Sequence, residues 1–349
     1  MRTTDLDVLR RADPAAAIAD GPLTEQELHS LQLIKTRIAT QERLDEGPAA
    51  AKPKLPARWQ GMPRRAVLVG AAVAVVAGGS LVVADPFETK RAVAATPPLL
   101  HAELAVGGSA RGELLQLAAR AARDVTLPGD SGSAHSVRMR SWDLSIGVDK
   151  HDQVTSAVLP RETTLVWHGD RSGMMRTTAA EPYFPDAKDR KAWERGGPRQ
   201  KPGTVLGEEK WRPGEYDPMY RYPLPTDPAR LLAELTTTHR IDDMGTQELV
   251  VALTDLYHET VPVPGVRSAM LSLLADRGDV VALGSMTDRA GRTGRGFAVD
   301  GDGFGLPTRQ VLIVDSTTGA LLAAEEVLTK TAGRLPVRVP SVIGYTLYL

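Results

Sequence analysis

A run of residues without any charge, residues 66–84, constrains the fold of this chain more than any other feature. Val, Ala and Leu make up most of the run, and Ser80 is its one polar side chain. A helix rises about 1.5 Å per residue, so this run would extend roughly 28 Å, close to the thickness of a bilayer's hydrocarbon core. A buried helix of a soluble protein is the alternative, but so long a helix would usually carry a polar stripe. The run therefore predicts a single transmembrane helix over residues 66–84.

The charges on the two sides of this run predict its orientation. All charged residues between positions 52 and 65 are Lys or Arg, whereas acids come first on the other side, at Asp85 and Glu88. The positive-inside rule places the N-terminus in the cytoplasm and the C-terminal part outside the cell. A cleaved signal peptide is the rival interpretation, because Ala92 and Ala94 form a small-x-small site, but such peptides have a much shorter N-terminal region. We expect an uncleaved, single-pass anchor in the plasma membrane.

The anchor divides the chain into a cytoplasmic tail (1–65), the span, a linker (85–98) and an extracytoplasmic domain (99–349). The chain has 349 residues, a formal net charge of −1 and no cysteine. Near-neutral charge argues against nucleic acid as a partner. The absence of cysteine excludes disulfides, thiol catalysis and Cys-ligated zinc. The extracytoplasmic domain must therefore be stable through its core alone.

The cytoplasmic tail is predicted to form one amphipathic helix, over about residues 25–43. Thr24 and Glu27 have the spacing of a capping box, which satisfies the first amide groups of a helix. A linker containing Pro, Ala and Lys follows at 46–63. So short a tail buries little core of its own. Its apolar face indicates either a docking site for a cytosolic protein or a frayed or self-associating helix. The residues of this face are Leu28, Leu31, Ile34 and Ile38.

The extracytoplasmic domain shows strand and helix patterns in turn. Strands are predicted at 136–148, 156–167, 173–178, 280–287, 295–300, 310–315, 320–329 and 341–349. Helices are predicted at 112–124, 228–237, 246–257 and 266–276. The stretch 315–319, which ends in a glycine, predicts a hairpin turn. This order favours an α+β fold, with a curved antiparallel sheet and helices on one face.

Residues 181–225 form a long insertion rich in aromatic residues and proline. One interpretation is an irregular covering of the sheet, in which the aromatic rings plug the core. The other is a flap over a groove for a ligand or partner, because long ordered loops often carry function. The residues that would form the groove and flap are Tyr183, Phe184, Trp193, Trp211, Tyr216 and Tyr220.

Several short motifs resemble catalytic or metal sites but lack the partners that the chemistry needs. The Gly-Asp-Ser-Gly sequence at 129–132 has too little chain between the anchor and its serine for a protease fold that supplies a His and an Asp. The Asp-Gly-Asp-Gly sequence at 300–303 lacks the later ligands of a calcium loop. The Gly- and Arg-rich stretch 291–296 predicts a hairpin turn with solvated arginines. The seven histidines show no ligand spacing. We expect no catalytic residue, cofactor or metal, and hence a non-enzymatic protein.

The chain resembles an uncharacterised actinobacterial family of single-pass membrane proteins. The resemblance rests on residues 7–14, on the anchor before a large extracytoplasmic domain, and on residues 264–294 with 315–322. Genes of this family often lie beside genes for extracytoplasmic-function sigma factors. The resemblance therefore implies an anti-sigma-like or sensing role with a sigma factor as cytosolic partner, although the His-and-Cys zinc motif of many anti-sigma domains is absent. The extracytoplasmic half also resembles the lipoprotein-carrier half-barrel, which implies the alternative of a tethered lipid or lipopeptide carrier. An apolar ligand or an envelope protein would then bind outside the cell.

Overall fold

The computed structural model describes most of the C-terminal part of the chain. The described residues are 74–75, 94–103, 109–125, 134–146, 158–185, 187, 190–191, 194, 201–303, 305–333, 335 and 337–349. They fall within one compact unit, which spans residues 54–349. The tail helix predicted over about 25–43, with its apolar face of Leu28, Leu31, Ile34 and Ile38, lies outside the described residues and stays a prediction.

A curved antiparallel sheet of ten strands forms the framework of the fold. The strands are β2 (Ala102–Glu103), β3 (Ala134–Asp143), β5 (Arg161–His168), β6 (Gly173–Ala179), β7 (Val205–Trp211), β8 (Val281–Thr287), β9 (Thr293–Gly301), β10 (Thr308–Val314), β11 (Leu321–Leu328) and β12 (Ser341–Tyr348). Their order across the sheet is β2-β8-β9-β10-β11-β12-β3-β5-β6-β7. Most neighbours in this order are consecutive along the chain, so simple hairpins build most of the sheet.

Five helices have both of their ends in the described part of the chain. They are α1 (Ala110–Ala121), α2 (Pro228–Thr236), α3 (Ile241–Met244), α4 (Thr246–Glu259) and α5 (Pro264–Ala275). The side chains of Ser109 and Asp227 cap α1 and α2, accepting hydrogen bonds from the amides of Gly112 (3.2 Å) and Arg230 (3.0 Å). The prolines at the starts of α2 and α5 suit the first turn of a helix, where the N–H has no partner.

The central strands are buried on both faces. Phe297, Val299 and Leu312 pack with the helices on one face, which we call the helix face. Ala298 and Ile313 alternate with them and join a second apolar cluster on the opposite face. Because neither face meets water there, part of each strand is a short continuous apolar run, at 297–299 in β9 and 311–314 in β10. The predicted α+β fold, with a curved antiparallel sheet and helices on one face, is confirmed.

Residues 94–102 cover part of the opposite face. Arg289 holds this segment, donating from Nη2 to the carbonyl oxygen of Pro98 at 2.8 Å. The same guanidinium pairs with the buried carboxylate of Glu325 at 2.7 Å and lies 5.1 Å from the centre of the Tyr345 ring. One cation thereby fixes a covering segment, neutralises an acid that the sheet buries and packs on an aromatic ring.

The predicted membrane span lies almost wholly outside the described residues. Within it, Ala74 and Val75 are extended and form β1, which pairs in parallel with β4 (Ser145–Ile146). Among the described residues, no helix combines the length and the apolar character needed to cross a bilayer. At Ala74 and Val75 the structure differs from the predicted helix. The rest of the span 66–84 lies outside the described residues, and the transmembrane helix stays a prediction there.

Strands β5 and β7 differ from the predicted strands. Strand β5 begins at Arg161 rather than at position 156, and Pro160, which has no N–H to give to a ladder, directly precedes it. Strand β7 lies inside the insertion 181–225, where no strand was predicted. Its Gly-Glu-Glu-Lys sequence at 207–210 lacks the alternation of apolar and polar residues that marks a half-buried strand.

The Gly- and Arg-rich hairpin between β8 and β9 forms as predicted, but its arginines are not simply solvated. Arg292 donates to the carboxylate of Asp288 at 2.8 Å and to the carbonyl oxygen of Leu322 at 2.8 Å. Arg295 reaches the Glu113 carboxylate of α1 at 2.6 Å. The prediction of solvated side chains was wrong because a long guanidinium can leave its own hairpin and bond to neighbouring elements.

Replacing Phe297 by alanine tests the helix face as the main core. Phe297 is 1% exposed, whereas Val281 on a strand of the same sheet is 52% exposed. We expect Phe297→Ala to lower the free energy of unfolding by about 3–5 kcal/mol, because it removes a buried ring and leaves a cavity. Val281→Ala is the matched control and should change it by no more than about 0.5 kcal/mol. Urea unfolding of both variants measures the difference, and equal effects would contradict the assigned core.

Candidate functional site

Helix α4 carries acidic side chains into the interior. Glu248, Asp255 and Glu259 are seven and four positions apart, so they lie on one side of the helix. Asp255 is 0% and Glu259 is 2% exposed. Tyrosines and histidines from neighbouring segments surround these acids. We call the whole group the buried polar cluster, and its members are Tyr216, Tyr220, Tyr222, His239, Glu248, Asp255, His258 and Glu259.

Glu259 accepts hydrogen bonds from one short stretch of the insertion. Its Oε1 accepts the backbone N–H of Met219 at 2.7 Å and the hydroxyl of Tyr216 at 3.3 Å. Its Oε2 accepts the hydroxyl of Tyr222 at 3.3 Å. Burial raises the pKa of Glu259 to about 7, which the three hydrogen bonds oppose and the charge of Asp255 reinforces. Glu259 therefore titrates near neutral pH.

The end of α4 is also tied to strands β3 and β5. The indole N–H of Trp167 in β5 donates to the main-chain carbonyl oxygen of Glu259 at 2.8 Å. The ring of His135 in β3 stacks on Trp167 with 3.8 Å between ring centres. The His135 Nδ1 atom lies 3.0 Å from the hydroxyl of Thr260. Two strands and one helix end are thereby fixed beneath the insertion.

His239 connects the two ends of the buried polar cluster. Its Nδ1 lies 3.1 Å from Oε1 of Glu248, and its Nε2 lies 2.9 Å from the hydroxyl of Tyr220. The hydroxyl of Tyr220 also donates to the carbonyl oxygen of Ala252, with 3.0 Å between the two oxygens. The tautomer of the His239 ring decides which of these atoms donate. The ring joins Glu248 to Tyr220 through polar contacts at both of its nitrogens.

Asp255 lies between two histidines without a well-formed hydrogen bond to either. Its carboxylate oxygens are 3.7 Å from Nε2 of His239 and 3.4 Å from Nδ1 of His258. Complete burial raises the pKa of Asp255, and the hydrogen-bonding and charge interactions with His258 and the charge of His239 oppose that rise. Neither carboxylate oxygen makes a hydrogen bond of good geometry within the described part of the chain. Asp255 is therefore held by charge and packing.

The centre of the buried polar cluster has little contact with solvent. Tyr220, His239 and Asp255 are 2%, 6% and 0% exposed. No group of three His, Asp or Glu side chains in the described part of the chain is arranged to hold a metal ion. A cavity of about 20 Å³ lies beside Arg267 and apolar residues of α5 and β10, and has room for about one water molecule. The hydrogen bonds and charges of the cluster hold α4 to the segments around it.

Three of the six aromatic residues predicted for a groove or flap lie at this cluster. Trp211 packs against Tyr216 with 4.8 Å between ring centres, and Tyr216 packs against Trp167 at 5.3 Å. Tyr220 bonds within the cluster, as described above. These rings fill the space against one another and against the end of α4. Their contacts favour a covering that plugs the core over a flap above an open groove.

Of the other three predicted residues, Tyr183 and Phe184 make contacts outside the cluster. Tyr183 is 42% exposed, and its backbone pairs with Val158 in an isolated bridge. The Phe184 ring lies 4.8 Å from the guanidinium carbon of Arg190. Trp193 lies outside the described residues, and its place in a groove or flap stays a prediction.

The sequence reasoning missed the acids and histidines of the buried polar cluster. Glu248 and Asp255 lie on one side of the predicted helix 246–257, and Glu259 continues that side two residues beyond its end. This spacing of acids is typical of a solvated helix face. The rest of α4 gives no second signal, because Gln247, Thr254 and His258 form another polar stripe beside these acids. By sequence alone α4 therefore resembles an amphipathic helix with one side in water.

No protein-family model, curated protein or solved structure matches this chain at a significant level. The resemblance to an actinobacterial membrane-protein family and the sigma-factor partner that it implies stay predictions.

Removing the hydroxyl of Tyr220 tests the hydrogen bonding of the cluster. In Tyr220→Phe the Nε2 group of His239 loses its partner inside the protein. A buried polar group left unsatisfied costs about 1–3 kcal/mol, so we expect a loss of that size in the free energy of unfolding. Tyr183→Phe removes the same atom from an exposed ring and should cost less than about 0.5 kcal/mol. Equal losses in the two variants, measured by urea unfolding, would exclude a stabilising role for the Tyr220 hydroxyl.

Proposed function

We propose that this chain is a membrane-anchored, non-enzymatic regulatory protein that links an extracytoplasmic sensing domain to a cytosolic partner such as a sigma factor. The anchor is residues 66–84, and the tail helix with Leu28, Leu31, Ile34 and Ile38 binds the partner. The extracytoplasmic domain responds to conditions outside the cell through its conformation or through its surface. The role of the sigma factor follows from the family resemblance, and the topology follows from the charges around the anchor.

The observation that carries this proposal is the filled helix face of the sheet. Helices α1, α2, α4 and α5 pack there against strand side chains such as Phe297 and Leu312. The aromatic residues of 211–222 cover the remaining space at the end of α4. Small-molecule sites are usually clefts of roughly 300–1,000 Å³, far larger than the cavity of about 20 Å³ beside Arg267. A filled interior supports regulation through contacts or shape rather than turnover of a substrate.

The alternative function, a tethered carrier of lipid or lipopeptide, receives less support. A carrier needs an apolar groove long enough for an acyl chain, and such a groove was expected beneath the insertion 181–225. In the described part of the chain, Trp167, Tyr216 and Tyr222 pack on one another there, with 4.9 Å between the ring centres of Trp167 and Tyr222. A bound acyl chain would have to displace these rings and the hydrogen bonds to Glu259.

Cysteine labelling tests the proposed topology, because the natural chain has no cysteine. We expect Asp302→Cys, at an exposed position, to react with a membrane-impermeant maleimide in intact cells. Thr4→Cys should react only after the membrane is permeabilised. The two variants control for each other, since both react in lysed cells. Labelling of Thr4→Cys in intact cells, or release of the Asp302→Cys protein into the medium, would exclude the proposed anchored orientation.

Co-purification of the full-length chain from its host cells tests the cytosolic partner. We expect a sigma factor to be enriched with the wild-type chain and to fall at least about tenfold in Leu31→Asp/Ile34→Asp, because about 1.4 kcal/mol of lost binding is tenfold in affinity. The double variant Thr36→Asp/Thr40→Asp adds the same charge to the opposite face of the predicted helix and should retain binding. Absence of any sigma factor, or equal loss in both double variants, would contradict the proposed docking face.

A further inference from the structure

The segment 211–222 crosses the end of helix α4 and covers the carboxyl group of Glu259. It contributes the three donors that this group accepts: the hydroxyls of Tyr216 and Tyr222 and the amide of Met219. We call residues 211–222 the aromatic clasp. The clasp is therefore both the cover that keeps water from Glu259 and the source of its hydrogen bonds.

The main chain of the clasp is held at two places by groups other than Glu259. At its middle, Arg171 in the β5–β6 turn donates to the carbonyl oxygen of Tyr216 at 2.6 Å and to the carboxylate of Asp217 at 2.8 Å. Near its end, the amide of Arg221 donates to the carboxylate of Glu234 in α2 at 2.8 Å. The three donors to Glu259 lie beside or between these places, so they can leave its carboxylate without detaching the whole segment.

In the described part of the chain, no Lys, Arg or His nitrogen lies within 4.0 Å of the Glu259 carboxylate. The histidines of the buried polar cluster contact Glu248 and Asp255 instead. The hydrogen-bond partners of the Glu259 carboxylate are two hydroxyls and one amide. The titratable groups of the clasp that act with it are Tyr216, Tyr220 and Tyr222, and helix α4 adds the acid Asp255. From β5, Trp167 bonds only the main-chain oxygen of Glu259, and His135 of β3 bonds Thr260.

We propose that the aromatic clasp is a protonation-dependent closure, which is shut over helix α4 when Glu259 is protonated and opens when Glu259 is ionised. A buried carboxylate without a cation is strongly disfavoured, because neutral donors replace its lost hydration only in part. The atoms that shut water out belong to the clasp. Moving the clasp gives the ionised group water while leaving the packed helices in place.

The direction of the pH response follows from the two states of Glu259. In the closed state its pKa is about 7, whereas exposure to water in the open state returns it to its ordinary value of 4.5. Between pH 4.5 and about 7 Glu259 is therefore more often protonated in the closed state than in the open state. The free energy that favours closure is largest at low pH and decreases as the pH rises to about 7. The statement that the proton is the external signal rests on the proposed regulatory function. The pH-dependent closure of the clasp does not rest on it.

Hydrogen exchange of the full-length protein in detergent micelles, followed by mass spectrometry, tests the clasp. Protection factors of peptides from 211–222 are compared with those of α5 (Pro264–Ala275) in the same molecule at pH 5 and pH 8. From pKa values of about 7 and 4.5, we expect opening of the clasp to increase about 70-fold over this range relative to α5. An unchanged ratio in the wild-type protein would overturn the proposal, whether or not any variant folds.

Two variants identify the group responsible. Glu259→Gln keeps the shape and removes the ionisation, so its clasp should show no pH-dependent change in protection relative to α5. Glu209→Gln removes an exposed acid from neighbouring strand β7 and should retain the wild-type response. A pH response that persists in Glu259→Gln, or that disappears in Glu209→Gln, would overturn the assignment. Loss of sigma-factor binding with an intact clasp response would instead sink only the proposed function.

Discussion

The burial of Glu259 at the end of helix α4 imposes a requirement that several distant parts of the chain meet together. A carboxyl group in the interior needs donors, and here they come from Tyr216, Met219 and Tyr222, some forty residues earlier in the chain. The helix end itself is fixed by the indole of Trp167, which also orders β5 against β3. The position of the aromatic clasp, the end of α4 and the packing of two strands are consequently linked through one side chain. A change in the charge of that side chain acts on all three.

Two other buried charged groups of the fold, unlike Glu259, have a partner of opposite charge. Glu325 lies beneath the opposite face and pairs with Arg289, which also holds the covering segment through Pro98. Arg267 is inside the helix layer and pairs with Asp124 at 2.6 Å. Such pairs lock elements together at any pH at which both partners stay charged. The contrast makes Glu259, without a cation in the described residues, the member of this set that is suited to respond to protons.

The strands and helices were predictable where hydrophobic pattern and local signals agreed. The apolar runs of β10 and β11 follow from burial on both faces, and the turn between them follows from its sequence, with Gly319 at a φ of 67°. Strand β7 was missed because an edge strand with charged residues lacks a clear apolar pattern. The buried polar cluster was missed for a related reason: acids such as Asp255 are indistinguishable in sequence from those on a solvated face. Only the packing of α2 and the clasp around α4 reveals that these acids have no water.

The size of the Glu259 effect bears on whether one side chain is enough to switch the clasp. Raising the pKa of a carboxyl group from 4.5 to about 7 corresponds to about 3 kcal/mol between its protonated and ionised forms. This energy is a large share of the roughly 5–15 kcal/mol by which a typical domain is stabilised. Opening the clasp alone therefore costs less free energy than unfolding the domain. The same difference shifts an open–closed equilibrium by at most about 300-fold, which would take a state populated at about 1% to about three quarters. A single buried acid is therefore sufficient for a switch only if the closed clasp is itself marginal, and its hydroxyl contacts to Glu259, both 3.3 Å long, fit that condition.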